Sequence, residues 1–242
     1  EKVLRPAIEV VIGRTYDQAG SVEWELKDKQ DRGEHIEMAG LLKNTTHSEE
    51  TNVTWLYPKN WNGRVVIWLD DHGKSGLPND DVKKLVAAGS AVVGADLLFQ
   101  GEKETRVVKN PREFAGYTHG YNHALFAQRV HDVLSLVSFA RNTQVGTHPN
   151  PKTVCLAAFG NQTGPIAAAA LSLLSGAVDR AAIDTHGFRF GQVLSYRDPM
   201  FLPGGSKYLD LPGFLKLAGP CEMWLKGEGS EPAGTALDHL SK

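Results

Sequence analysis

Hydrophobic positions fall into short blocks set apart by polar, glycine- and proline-bearing stretches, and the period inside each block predicts its element. Arg64-Val65-Val66-Ile67-Trp68-Leu69-Asp70 is apolar without interruption between charged ends, as a central strand covered on both faces would be. Ser90–Asp96 and Thr153–Phe159 repeat that pattern, and Arg180–Asp184 and Cys221–Lys226 are shorter versions of it. Helical patterns lie between them. Residues 79–89 open on Asn79 as a cap, carry Asp80 and Asp81 in the first turn and close on Gly89. Ala124–Ala140 spaces Leu125, Val130, Val133, Leu134 and Val137 at helical intervals. Pro165–Leu174 is a run of small residues of helical length, and Leu237-Asp238-His239-Leu240 also reads as helix.

Nearer the N-terminus, His35–Leu42 and Val53–Pro58 read as strands around a polar turn at 44–50, the second stopped by its proline. The first ~30 residues alternate weakly, as in Val22-Glu23-Trp24-Glu25-Leu26, and predict short strands or a linker from an upstream domain. The expected division is therefore 1–34 and 35–242. Residues 191–220, with Pro199, Pro203, Gly204, Gly205, Pro212 and Gly213, read as loop able to cover a sheet edge. Strands alternating with helices imply right-handed crossovers and a mostly parallel α/β sheet with helices on both faces. Ligands of such sheets bind beyond the C-terminal strand ends. Asp70–His72, Asp96–Gln100, Gln162 and Asp184–His186 should all lie there.

Composition narrows the picture without redirecting it. With 242 residues, 41% hydrophobic and 22% charged, the chain can bury the core of one α/β domain. A net charge of −2 without long charged blocks gives no case for nucleic acid or an anionic membrane. No apolar run approaches the ~20 residues of a membrane span. The chain opens on Glu1 with no signal-peptide pattern, so the compartment stays open. Cys155 and Cys221 sit in predicted strands, outside any metal-ligand spacing, and read as buried thiols. No metal or cofactor is expected.

The candidate chemistry centres on Gly160-Asn161-Gln162-Thr163-Gly164, between an apolar strand and a small-residue helix. That is the setting of a G-x-S-x-G nucleophile elbow. Its glycines permit a tight turn and close helix packing, and its middle residue is expected to be strained. Here the middle residue is Gln162, whose amide is a poor nucleophile. Thr163 is a displaced-nucleophile candidate outweighed by its place at a helix start. His119 and His123 stand at i and i+4, but Gly120 interrupts them; the segment reads as a polar loop entering the next helix with Asn122 as cap. Asn44, Asn52 and Asn161 begin N-x-T sequons, which matter only in a secretory setting.

Over residues 35–230 the chain resembles the α/β-hydrolase superfamily, in particular its acetylxylan-esterase-like and dienelactone-hydrolase-like members. Leu69-Asp70-Asp71-His72-Gly73 stands where that family keeps an oxyanion loop. Ala95–Glu102 looks like its D-x-x-G-x-G-x-S loop, and the helix around His131-Asp132 precedes the elbow strand. Trp224–Ser230 looks like the strand and turn that carry the acid. The resemblance implies a three-layer sandwich, ester hydrolysis, and oxyanion donors at Thr163 and the Gly73 loop. The pattern departs at three places. Gln162 holds the nucleophile position, Ser230 (beside Glu231) the acid position, and the late histidine, His239, lies in a helical segment. The expectation is a catalytically degenerate esterase-like domain whose sheet lacks its last strand. Two alternatives stay open. One is an active ester hydrolase with a rearranged site at Asp70, His72, Asp184 and His186. The other is a carbohydrate-binding or structural domain, in which Trp61, Tyr117, Tyr121 and Phe188 stack on sugars, Gln162 hydrogen-bonds their hydroxyls, and Asp70 and His119 are further binding candidates. The expected partners are an ester or carbohydrate ligand and either an upstream domain or a second copy.

Overall fold

The computed structural model describes residues 1–101, 119–142 and 150–242. Its eight strands are β1 (Val22–Asp31), β2 (His35–Asn44), β3 (Glu49–Pro58), β4 (Arg64–Leu69), β5 (Ala91–Asp96), β6 (Thr153–Ala158), β7 (Arg180–Asp184) and β8 (Glu222–Lys226). They form one sheet in the order β1-β2-β3-β5-β4-β6-β7-β8. The strands from β5 across to β8 run parallel, while β1, β2 and β3 join them as an antiparallel meander. The sheet ends at β8, and among the described residues no strand lies beyond it.

The strand alternation sorts side chains into two cores. Val65, Ile67 and Leu69 of β4 and Val154, Leu156 and Ala158 of β6 point to one face; Val66, Trp68, Cys155 and Ala157 point to the other. The first face is covered by α1 (Leu4–Ile12), α3 (Leu125–Asn142), α4 (Thr163–Leu171) and α5 (Asp210–Leu215). The second is covered by α2 (Asp80–Ala87) and α6 (Ala236–Ser241), through Val82, Leu85, Val86 and Leu240. Helix α2 begins as expected, with Asn79 Oδ1 accepting from the Val82 amide, and the chain leaves it through Gly89 at φ +87°. No helix among the described residues is long and apolar enough to cross a membrane.

Three local expectations change. Residues 4–12 are a helix, whose Ile8 and Ile12 are fully buried in the first core. The loop-rich stretch 191–220 carries α5, and its Met200, Leu202, Leu211, Phe214 and Leu217 fill the same core. Asn122 does not stand at the cap position: a helical turn at 119–121 ends before it, and α3 starts at Leu125.

Candidate functional site

Parallel strands deliver their C-terminal ends to one rim. β4 leads to Asp70-Asp71-His72, β6 to Gly160–Thr163, β7 to Asp184–His186 and β8 to Gly227–Glu228. The turn after β6 is not strained at its middle residue. Gln162 has φ −98° and ψ −48°, within the right-handed helical region. The helical bonding starts early instead: the Gly164 amide donates to Gly160 O at 3.0 Å and the Ile166 amide to Gln162 O at 3.2 Å. Gln162 thus belongs to the opening turn of α4.

Helix openings leave amide donors unpaired, and here a carboxylate from another strand end satisfies them. Asp71 Oδ1 accepts from the Thr163 amide at 2.9 Å, the Thr163 hydroxyl at 3.0 Å and the Gln162 amide at 3.2 Å. The positive end of α4 favours this negative charge. The motif glycines follow from the same packing. A Cβ at Gly160 would run into Asp71 Oδ1, and one at Gly164 into the backbone oxygen of Asp184.

The Gln162 side chain is tied as firmly. Its Oε1 accepts from Arg129 Nη1 at 2.7 Å. Arg129 comes from α3, is 1% exposed, and also donates from Nε to Leu98 O at 2.9 Å. One helical turn on, Asp132 accepts from the Leu98 amide at 2.7 Å. Burial lowers the Arg129 guanidinium from its ordinary range, against the charges of Asp132 and Asp71, and pushes the Asp132 carboxyl up to about 7. The two side chains clamp the backbone of one residue, Leu98, after β5 and extend that clamp to Gln162.

The expected polar residues form separate pairs. His72, with its side chain 83% exposed, meets Asp70 Oδ1 at 2.9 Å through Nδ1. The His186 ring turns its Nε2 to Phe159 O at 2.8 Å, with Nδ1 3.9 Å from Asp184. Among the described residues, no hydrogen bond joins either histidine to Gln162. The Gly73 amide donates to Asp70 O at 2.9 Å, so both expected oxyanion amides, Gly73 and Thr163, are engaged within the chain. His119 lies against Phe201, ring centroids 5.4 Å apart, while His123 meets His131 at 5.2 Å, so the i, i+4 histidines diverge. Tyr121 is 88% exposed. Tyr117 lies outside the described residues. No three His, Cys, Asp or Glu among the described residues converge to hold a metal ion. Burial pushes both thiols, Cys155 and Cys221, up to about 12, which keeps them protonated. A groove of about 450 Å³ opens away from the elbow, between β2, β3 and α2, over Leu56, Leu77, Val82 and Val86.

No protein-family profile matches the chain, and neither does any curated protein sequence. Solved structures do. Acetyl xylan esterase 1 from Thermoanaerobacterium sp. JW/SL YS485 superposes with a TM-score of 0.59 at 13% identity, over 98% of this chain and 92% of that one. A putative acetyl xylan esterase from Bacteroides fragilis gives 0.67 at 14% identity, over 93% of this chain and 66% of that one. A promiscuous CE15 esterase from a marine bacterial metagenome gives 0.60 at 9% identity, over 91% and 72%. The fold is that of the α/β-hydrolase esterases. Identities this low carry the fold and leave the chemistry to the site.

Within that fold, the sequence put Asp71 in the polar cluster after β4 without singling it out, and it gave no role to Arg129, Arg189 or Glu228. In the turn after β8, Glu228, not Ser230, is the engaged residue. Its carboxylate accepts from Thr185 Oγ1 at 2.6 Å and from both Arg189 terminal nitrogens at 2.9 and 2.8 Å. Glycines on both sides of Glu228 were the available signal. Arg129 was visible as a charge inside an apolar helical pattern.

Proposed function

We propose that this chain is an esterase-like α/β-hydrolase domain that is silent as a serine-type hydrolase and serves as a binding or structural unit. The observation that carries the reading is the Asp71 carboxylate on the Gln162 and Thr163 amides. Acyl transfer needs a nucleophile, a base in reach of it, and donors free to receive the oxyanion. Gln162 offers an amide oxygen already held by a guanidinium. A substrate carbonyl gaining negative charge at Thr163 would meet a resident anion instead of free N–H groups. The carboxylate at the acid turn, Glu228, is neutralised by Arg189 through two hydrogen bonds, and among the described residues no histidine hydrogen-bonds to it. The neighbouring structures bear the names of acetyl xylan and CE15 esterases, which makes acetylated sugars the first substrates to try.

The test is turnover of nitrophenyl acetate and acetylated xylose esters by the wild-type chain, Gln162→Ala and Gln162→Ser. All three should match the protein-free rate, since a serine at 162 still lacks its base. Turnover lost in Gln162→Ala would overturn the reading. Turnover that survives Gln162→Ala and is abolished by His186→Ala would replace it with a rearranged site at Asp184 and His186.

A further inference from the structure

The two edges of the sheet are built differently. β1, at one edge, is ten residues long and interrupts its pairing with β2 between Leu26 and Asp28. Its second half, Lys27-Asp28-Lys29-Gln30-Asp31, is exposed and carries alternating charge. A bulge and dense charge are the devices that keep an edge from pairing. β8, at the other edge, is hydrogen-bonded to β7 alone among the described strands and has no proline and no register break. Met223 is 38% exposed, and Trp224 and Leu225 are half-buried. The Glu222 amide donates to Asp179 O, so the backbone of Glu222 faces β7 and the outward groups of this edge are those of Met223 and Leu225; the His239 ring also meets the Glu222 carbonyl at 3.0 Å.

The β8 sequence is self-complementary when read antiparallel. In Glu222-Met223-Trp224-Leu225-Lys226, a two-fold axis at Trp224 sets Glu222 against Lys226 of a second copy and Met223 against Leu225. Opposite charges and apolar pairs facing each other across strands stabilise the pairing. Both end charges are free enough to reach across. The Glu222 side chain is 65% exposed beside Arg180, and that of Lys226 is 45% exposed, 3.7 Å from Asp184. We infer that β8 is a homodimer interface, where two copies pair antiparallel about Trp224 and one sheet runs through both. A closed two-fold contact uses the same patch twice and leaves no open end. Five residues of strand are a small contact, so a micromolar dimer is expected rather than a permanent one.

Sedimentation velocity on the full chain over a micromolar concentration series reads the state directly. Wild type should be a monomer–dimer mixture. Glu222→Lys places lysine opposite Lys226, and Lys226→Glu places glutamate opposite Glu222; each should weaken the dimer about tenfold or more. Combining the two restores opposite charges and should recover most of the affinity. Met223→Lys, at an exposed position, should abolish the dimer by placing a charge at its centre. Thermal melts of each variant separate lost pairing from lost folding. A monomeric wild type, or a dimer indifferent to all these changes, would overturn the inference. Single reversals that weaken the dimer without recovery in the double variant would overturn the register.

Discussion

At the scale of single residues, Asp71 does what a helix N-cap does, although it arrives from a different strand. It serves the amides of Gln162 and Thr163 and the Thr163 hydroxyl together. Removing a capping oxygen typically costs ~1 kcal/mol, and a buried donor left unpaired adds to that. Asp71→Ala should therefore lower stability by about 1–2 kcal/mol in urea unfolding. Asp71→Asn keeps an acceptor oxygen and should cost less. His72→Ala, one residue on and 83% exposed at its side chain, should stay within about 0.5 kcal/mol of wild type. Equal effects from Asp71→Ala and His72→Ala would mean that the carboxylate caps nothing. The sequence placed Asp71 in the right loop but gave no reason to prefer it to Asp70, because the choice depends on which side chain β4 aims at α4. Gln162 at the centre of its glycine-flanked turn was legible in the sequence; the Arg129 and Asp71 contacts that hold it were not, because they join segments 33 and 91 positions away from it.

At the scale of elements, the apolar blocks read correctly wherever burial alone decides. β4, β5 and β6 are covered on both faces, so their composition announces them. Helix α3 was also legible, yet its chemistry was not, since nothing in its period says that His131 and Asp132 are 2% and 8% exposed. Burial pulls His131 down to about 4 from 6.5, with the nearby Arg14 charge acting the same way, and pushes Asp132 up to about 7 from 3.8. The signs oppose. Above pH ~4 the unfolded Asp132 loses its proton while the folded one keeps it, so this residue makes stability fall as pH rises toward ~7. Below pH ~6.5 the unfolded His131 takes a proton that the folded one refuses, so this residue makes stability rise with pH up to that point. Between about pH 4 and 6.5 the two offset each other. His131→Gln should expose the Asp132 slope, with stability relative to wild type falling by up to about 1.4 kcal/mol per pH unit. Asp132→Asn, which keeps an acceptor for the Leu98 amide, should show the opposite slope. Urea unfolding of the three proteins across that window checks it, and parallel curves would count against the opposed titrations.

At the scale of the whole molecule, the sequence read most poorly where chain remote in sequence completes the core. Residues 1–34 suggested strands or a linker because they alternate weakly, as in Val22–Leu26, and the β-branched Val10, Val11 and Ile12 favour strands rather than helix. Packing overrides that preference in α1. Pro6 is tolerated in the first turn, where its missing N–H would have no helical partner. Ile8 and Ile12 then turn into the first core, and Ile12 O meets the His131 ring at 2.8 Å. Arg14, just past the helix, forms a two-pronged pair with Glu49 at the start of β3, both bonds 2.8 Å. If α1 is part of the esterase fold and not an appendage, its buried side chains must report on global unfolding. Ile8→Ala and Ile12→Ala, both 0% exposed, should each cost about 2–4 kcal/mol, as truncations in a shared core do. Val10→Ala, 79% exposed on the same helix, should cost less than about 0.5 kcal/mol. Near-ultraviolet circular dichroism, which follows Trp24 and Trp55 against Phe139 in that core, should shift in the isoleucine variants together with the far-ultraviolet transition. An unchanged midpoint in both isoleucine variants would instead make residues 1–21 a separate segment resting on the sheet. Two transitions where wild type shows one would mean that α1 unfolds alone, outside the cooperative unit formed by the sheet and α3.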